Sequence, residues 1–209
     1  MRRAGGGSLL LPRTSDVTSV VLAGGRALRL PEKLRLPVAG EPMLARVIAR
    51  VTAGGRACVI SARTPPDGVW DWPVVYDAYP GGGPLGGIAS AARRVRTPLF
   101  FAVAGDMPNM TSRFIDALEA RYREAAAVGP APHAIVPAWP DGKLEPLAAL
   151  YDTQAFLDGS AAALRDGKRK VTSALAGLCV IGYPVTAADE WLLVNVNTAE
   201  DYARLDPTT

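Results

Sequence analysis

Short apolar runs alternate along the chain with longer segments in which apolar residues recur every three or four positions. Residues 43–51 have this helical period, whereas residues 99–104 form an unbroken apolar run, which is typical of a strand buried on both faces. The pattern predicts strands at 17–22, 57–60, 74–76, 99–104, 134–137, 147–151 and 178–181.

The same pattern predicts helices at 43–51, 88–95, 156–164 and 172–175, and one with Phe114, Ile115 and Leu118 on a single face and Thr111 or Ser112 as its N-cap. Strands that alternate with helices indicate an α/β domain built on a mainly parallel sheet. Ligands bind beyond the carboxyl ends of the strands in such sheets. The loops after the first, third and fourth strands are therefore the candidate sites.

Composition narrows the class of protein. The 209 residues are 49% hydrophobic and 21% charged, which fits a globular domain and excludes a disordered chain. We predict a flexible N-terminal tail at 1–15 and a single domain at 16–209. The net charge of +3 matches the three arginines of the tail, so the domain lacks the basic field of a nucleic-acid binder. No apolar run approaches the roughly 18 residues of a membrane span.

The cysteines and the histidine point away from metal or triad chemistry. Cys58 and Cys179 each lie in an apolar segment. We expect both to be buried, reduced thiols, as suits a cytoplasmic protein. The lone His133 has no cysteine beside it and no second histidine to join it, so a histidine-based zinc site or a catalytic triad is not expected.

The first candidate loop carries paired glycines, Gly24 and Gly25, directly after the first strand. Glycines allow a tight turn in which backbone N–H groups approach an anion. Arg29 and Lys33 add positive charge to the same loop, which favours a triphosphate site over a plain turn. The loop is not a P-loop, because no Gly-Lys-Ser/Thr triplet opens a helix there.

The second candidate loop contains a G-x-G-x-x-G spacing at Gly81, Gly83 and Gly86. A dinucleotide-binding fingerprint joins the first strand to its helix, whereas this spacing follows a later strand and encloses Pro84. We interpret the segment as an open loop against which a flat base lies. Asp77 would accept hydrogen bonds from N–H groups of that base.

The third candidate loop places Asp106 at the end of the most apolar strand. A carboxylate there, beside the first loop, suits a Mg²⁺ ion that bridges phosphate oxygens. Asn197 follows a late apolar run and is a further candidate, either at the metal or next to it. Thr198 is predicted to be the N-cap of a helix that begins after it.

Five segments, in this order, resemble the molybdenum cofactor guanylyltransferase family of the nucleotidyltransferase superfamily, over about residues 17–204. They are Leu22-Ala23-Gly24-Gly25 with Arg29 and Lys33 behind it, Gly83-Pro84-Leu85-Gly86-Gly87-Ile88, Gly105-Asp106-Met107-Pro108, Glu145-Pro146-Leu147, and Asn195-Val196-Asn197-Thr198.

The resemblance implies a Rossmann-like three-layer sandwich with the GT-A-like nucleotidyltransferase fold, a mainly parallel sheet and one antiparallel strand. It implies that the phosphate of molybdopterin attacks the α-phosphorus of GTP and releases pyrophosphate, with Mg²⁺ as the cofactor. GTP and molybdopterin are then the partners, with transient contacts to molybdoenzyme maturation proteins and with neither nucleic acid nor membrane.

The resemblance also implies roles for individual residues. Arg29, Lys33 and Asp106 are the catalytic set, and Asp106 and Asn197 hold the metal. The nucleotide-binding set is Leu22, Ala23, Gly24, Gly25, Lys33, Ser61, Asp77, Gly83, Pro84, Leu85 and Asp106, in which Asp77 reads guanine.

Two departures from the family pattern keep alternatives open. The first loop is one residue shorter and carries Pro31 in place of a glycine, and proline fixes φ and removes an N–H. Ser61 stands where the family often has an asparagine that faces the base. The alternatives are transfer from CTP to molybdopterin, transfer from another nucleotide to a sugar or alcohol phosphate, and a non-catalytic nucleotide-binding relative. The basic segment 168–170 either meets the anionic pterin or is a solvated loop.

Overall fold

A seven-stranded sheet forms the centre of the computed structural model, which describes residues 15–24, 30, 32–66 and 70–205. A separate two-stranded hairpin lies beside it. The sheet consists of β1 (Val17–Leu22), β4 (Cys58–Ala62), β5 (Val74–Tyr76), β6 (Leu99–Ala104), β7 (Ala134–Ala138), β8 (Ala148–Asp152) and β9 (Val180–Pro184), and the hairpin of β2 (Pro37–Val38) and β3 (Glu41–Pro42).

The strands follow the order β5-β4-β1-β6-β8-β7-β9. Among these strands β8 alone is antiparallel to its neighbours, β6 and β7. The predicted mainly parallel sheet with one antiparallel strand is therefore confirmed. Leu22 is in register with Ser61 on one side and with Ala104 on the other. The carboxyl ends of β4, β1 and β6 consequently lie side by side, and the candidate loops leave the sheet at one edge.

Helices cover both faces of the sheet. They are α1 (Met43–Thr52), α2 (Gly83–Ala92), α3 (Ser112–Val128), α4 (Thr153–Arg165), α5 (Ala187–Glu190) and α6 (Ala199–Ala203), with 3₁₀ helices at Lys33–Arg35, Val171–Leu175 and Trp191–Leu193. The predicted cap of α3 is confirmed, because the Thr111 hydroxyl accepts the Phe114 N–H at 3.3 Å. No helix of the described ranges combines the length and the apolar character needed to cross a bilayer.

The prediction of a helix at 88–95 is wrong at its start, since α2 already begins at Gly83. Gly83 has φ of +62°, a conformation that glycine adopts without a Cβ clash. Pro84 stands in the first turn, where its missing N–H breaks no helical hydrogen bond. The interpretation of this stretch as an open loop therefore applies only as far as Gly82.

Two apolar layers hold the sandwich together. One face of the sheet packs on α1 and α3 through residues such as Val47 and Phe114, and the other packs on α2 and α4. In the second layer the rings of Phe100 and Phe156 meet edge to face with centroids 5.2 Å apart. Both side chains are fully buried, and burial of this kind contributes about 1.5–3 kcal/mol per large apolar side chain.

The two cysteines differ in their surroundings. Cys58 lies in β4 and is buried, and burial raises the pKa of its thiol to about 12. The expectation that Cys179 is also buried is wrong: it is exposed, because β9 is an edge strand that begins one residue later than this position. His133 has a structural contact here, since its Nδ1 accepts the Cys179 N–H at 2.9 Å.

Candidate functional site

A cleft of about 860 Å³ opens at the carboxyl ends of β1 and β6. The first and third candidate loops both reach it, so Gly24 and Asp106 face the same space. Predicted site residues that line it are Leu22, Ala23, Gly24, Lys33, Pro84, Asp106 and Asn197. The predicted residues Gly25 and Arg29, together with Pro31, lie outside the part of the chain that the structure describes.

Gly105 sets the position of the Asp106 carboxylate. Its N–H donates to the Leu22 carbonyl at 2.9 Å, which ties the end of β6 to the end of β1. A Cβ at position 105 would stand 2.8 Å from the same carbonyl oxygen, closer than real contacts allow. Only glycine therefore permits β6 to lie this close to the Leu22 carbonyl. The next residue, Asp106, consequently lies at the cleft.

Lys33, Asp106 and Asn197 meet in the cleft and are called the charged end below. The Lys33 ammonium donates to Asp106 Oδ2 and, at 2.9 Å, to Asn197 Oδ1. The Lys33 and Asp106 side chains are each 15% exposed, which strengthens their attraction relative to a surface pair. The carboxylate and the amide oxygen thus converge on one small cation, which at present is the ammonium.

The C-terminal part of the chain holds Asn197 at this end. The Val196 N–H donates to the Asp106 carbonyl at 2.9 Å, and the Asn197 N–H donates to Asp201 Oδ2 at 3.0 Å. That second hydrogen bond is the largest of the effects that lower the pKa of Asp201. The predicted capping role of Thr198 is confirmed, because its hydroxyl accepts the Asp201 N–H at 3.1 Å.

A further pair of contacts at the charged end has no signal in the sequence. The buried Asn109 donates from Nδ2 to the Trp191 carbonyl at 3.2 Å and so ties the loop after β6 to the segment before Asn197. The Arg50 guanidinium of α1 donates to the Met110 carbonyl at 2.8 Å. These contacts hold the loop that carries Asp106 from two directions.

The charged end contains oxygen atoms of the kind that bind a hard divalent cation. Asp106 Oδ1 is buried and lacks a hydrogen-bond partner among the described residues, so one carboxylate oxygen remains to be satisfied. Carboxylate and amide oxygens are the ligands that Mg²⁺ takes. The described residues contain no group of three or more acidic, histidine or cysteine side chains that could hold a metal ion. A metal here would therefore need phosphate oxygens or water to complete its coordination.

A narrow crevice adjoins the cleft and is called the side crevice below. Leu22, Gly24 and Pro84 line both spaces, whereas Ser61, Ala62, Arg63, Asp77, Gly83 and Gly87 line the crevice alone. The charged end does not contribute to it. Two predicted base contacts, Ser61 and Asp77, are thus brought together at one place.

Local hydrogen bonds hold Asp77 in the side crevice. Its Oδ1 accepts the Tyr79 N–H at 2.8 Å, the pattern of an Asx turn. The Ser90 hydroxyl of α2 accepts the Ala78 N–H at 2.9 Å and lies 3.5 Å from the same Oδ1. A Cβ at Gly86 would stand 3.1 Å from Asp77 Oδ1, so this glycine lets the loop lie close against α2.

Ser61 and Leu85 are placed differently from Asp77. The Ser61 hydroxyl is buried and donates to the Gly87 carbonyl at 2.9 Å, so its proton is already used within the fold. The Leu85 side chain is fully buried in the core and does not line the cleft or the side crevice. Its N–H donates to the Arg169 carbonyl at 3.3 Å, which places the basic segment 168–170 against the start of α2.

Comparisons with known proteins concern the family and the fold of the chain. The model of the MobA-like NTP transferase domain family matches residues 19–178. The chain is 32% identical over 203 residues to the "Probable molybdenum cofactor guanylyltransferase" of Pyrococcus furiosus, a match that covers 90% of this chain and 96% of that protein. It is 31% identical over 209 residues to the molybdenum cofactor guanylyltransferase of Sinorhizobium fredii, with 91% and 92% covered.

A solved structure is similar over nearly the whole chain. The crystal structure of molybdopterin-guanine dinucleotide biosynthesis protein A from Archaeoglobus fulgidus matches with a TM-score of 0.71 and 25% identity. The match covers 90% of this chain and 96% of that one. Together with the strand order, this similarity confirms the nucleotidyltransferase fold that the sequence resemblance implied.

Proposed function

Because the chain belongs to the MobA-like NTP transferase domain family and is a nucleotidyltransferase, we propose that it transfers GMP from GTP to the phosphate of molybdopterin. The names of its relatives, molybdenum cofactor guanylyltransferases, support a guanylyl group and a molybdenum cofactor as substrates. The observation that carries the proposal is the convergence of Lys33, Asp106 and Asn197 on the cleft that Gly24 also lines.

In this proposal the triphosphate lies along the turn at Gly24, with the Lys33 ammonium against its phosphate oxygens. An ammonium that now balances one carboxylate is well suited to neutralise phosphate charge when a nucleotide enters. Arg29, from the sequence analysis, would add a second cation from the same loop. The cleft of about 860 Å³ is large enough for a nucleotide and an acceptor together.

Asp106 and Asn197 would hold Mg²⁺. The buried, unpartnered Oδ1 of Asp106 and the amide oxygen of Asn197 are ligands of the right type. When bound, the ion would supply positive charge that neutralises the negative charge developing during transfer. Lys33 would then exchange its carboxylate partner for phosphate.

The reaction needs no protein nucleophile. An oxygen of the acceptor phosphate forms a bond to the α-phosphorus, the bond from the α-phosphorus to the bridging oxygen breaks, and pyrophosphate leaves with that electron pair. Positioning and charge neutralisation supply most of the catalysis in such displacements. The charged end provides both, because its side chains are held by contacts from α1, the loop after β6 and the C-terminal segment.

The decisive experiment measures pyrophosphate release from GTP, molybdopterin and Mg²⁺. We expect turnover with the wild-type chain and none detectable with Asp106→Ala, whereas Asp158→Asn, a change on the exposed face of α4, should behave as wild type. Absence of GTP binding by calorimetry in the presence of Mg²⁺ would contradict the proposal.

The pyrophosphate assay decides between the alternatives when it is combined with a thermal-shift measurement. A thermal-shift panel of GTP, CTP, ATP and UTP identifies the nucleotide, because a ligand that binds the native state raises the melting temperature. Turnover with CTP, or with a sugar or alcohol phosphate as acceptor, would replace the proposed substrates and keep the chemistry. Nucleotide binding without pyrophosphate release from any acceptor would instead support a non-catalytic relative.

A further inference from the structure

Arg63 is the cationic side chain of the side crevice, which it lines together with the oriented carboxylate of Asp77. We propose that Arg63 determines base specificity, an inference that rests on the proposed function. The Arg63 guanidinium donates to O6 and N7 of guanine, and Asp77 accepts hydrogen bonds from N1–H and N2–H. No sequence motif points to this residue, which directly follows β4.

The aliphatic part of the Arg63 side chain lies against the turn at Gly24. Its backbone N and its Cγ each lie 3.4 Å from the point at which a Cβ on Gly24 would stand. The side chain is exposed, and among the described residues no hydrogen bond or ion pair engages its guanidinium. Arg63 therefore presents unsatisfied donors beside the turn at which we place the nucleotide.

The position of Arg63 favours a contact with the base of the nucleotide over a contact with its phosphates. Arg63 lines the side crevice with Asp77, whereas Lys33 and Asp106 line only the main cleft. The crevice has room for only about 10 Å³, so it can take the edge of a base and not a whole ring. The ring would then rest on the wall that the two spaces share, at Leu22, Gly24 and Pro84.

Donors and acceptors in the side crevice match guanine in particular. Asp77 Oδ1 is already oriented by the Tyr79 N–H, and an ionised carboxylate accepts only. Arginine donates only, and its fork fits two neighbouring acceptors such as O6 and N7. Guanine carries two N–H donor groups beside O6. Held in the same orientation, adenine would turn the lone pair of N1 toward the carboxylate. Cytosine has a single N–H donor group, at N4, so it cannot give the carboxylate the two donor groups that guanine gives.

Calorimetry on the full chain with Mg²⁺ tests the inference with three nucleotides: GTP, ITP and CTP. ITP keeps O6 and N7 but lacks the 2-amino group. For Arg63→Ala we expect affinity for GTP and for ITP to fall alike, by about tenfold or more, with affinity for CTP unchanged. Arg63→Lys should lose nearly as much affinity for GTP and ITP, because an ammonium keeps the positive charge but lacks the paired N–H donors of a guanidinium.

The matched control is Arg94→Ala, which removes an exposed arginine just beyond the far end of α2, about 10 Å along the helix from Gly87, the last residue of α2 that lines the crevice. It should bind all three nucleotides as wild type does. An equal loss for GTP, ITP and CTP in Arg63→Ala would place the guanidinium on phosphate and overturn the inference, as would unchanged GTP affinity. Wild-type protein that binds CTP but not GTP would overturn the proposed function as well, so the two failures can be told apart.

Discussion

The charged end and the side crevice are built in different ways. At the charged end, Lys33 is separated along the chain by 73 positions from Asp106 and by 164 positions from Asn197. The three side chains meet through long-range contacts. Asp77 is held by partners at positions 79 and 90, within one loop and the helix that follows it. The charged end therefore depends on the whole sheet being assembled, whereas the orientation of Asp77 depends on a local turn.

This difference matches the demands of the proposed reaction. Transfer at phosphorus requires charges placed to within a fraction of an ångström, and the tie between Gly105 and Leu22 and the contact between Asn109 and Trp191 supply that rigidity. Recognition of a base requires only matching donors and acceptors, which an oriented carboxylate and an exposed arginine could provide. Substitutions at the charged end should lower turnover or binding of the triphosphate, and those that remove a base contact from the crevice should alter the preference among bases.

Among substitutions that leave the charged side chains in place, the largest expected effect follows from Gly105→Ala. The added Cβ would meet the Leu22 carbonyl at 2.8 Å and push Asp106 out of place. We expect turnover to fall about 100-fold, because small misplacements of catalytic groups have effects of this size. The free energy of unfolding should fall by about 1–3 kcal/mol, the usual range for overpacking.

Steady-state pyrophosphate release and denaturant unfolding measure these two effects. The control is Gly129→Ala, since a Cβ at that position meets nothing within 4 Å. If Gly105→Ala retained wild-type turnover, the rigid placement of Asp106 that we assign to this contact would be wrong.

Lys33→Gln should have the next largest effect. Without the ammonium the charged end loses its cation, and Asp106 repels the incoming triphosphate. Hydrogen bonds to charged groups contribute about 1.5–3 kcal/mol, so we expect affinity for GTP to fall roughly 10- to 100-fold. Calorimetry measures the loss, and added Mg²⁺ should restore part of the affinity by replacing the missing cation.

Lys143→Gln is the matched control for that change. Lys143 forms an exposed ion pair with Glu145 at 2.6 Å, and such pairs contribute about 0–1 kcal/mol. An equal loss of GTP affinity in the two variants would mean that overall charge, and not the geometry of the charged end, attracts the nucleotide.

Ser61→Ala should have the smallest effect and should separate the two regions most sharply. Because its hydroxyl donates to the Gly87 carbonyl, we expect the free energy of unfolding to fall by about 1 kcal/mol, with KM for GTP and turnover unchanged. Ser160→Ala is the comparison, since Ser160 donates to the Leu157 carbonyl within α4, away from the site. A raised KM in Ser61→Ala alone would show that Ser61 contacts the nucleotide after all.

Much of the fold could be predicted from hydrophobic periodicity. Strands 17–22, 74–76 and 99–104 are confirmed to the residue. The first and third are buried along their whole length, and a buried strand has a mainly apolar run with sharp ends, whereas 74–76 is a partly exposed edge strand. The start of α2 could not be predicted in this way. Its first turn, Gly83-Pro84, has the composition of a loop, and only packing of that turn on the segment around Arg169 makes it helical.

The sequence by itself determined the fold class, the edge of the sheet at which the candidate loops meet, and the family, since these depend on local patterns and short motifs. The tertiary structure decided which polar groups meet. Lys33 finds Asp106 and Asn197, the Ser61 hydroxyl turns inward to Gly87, and Arg63 joins Asp77 in one crevice. The physical reason is that a side chain's partners depend on the register and packing of strands far apart along the chain, which no local pattern of residues encodes.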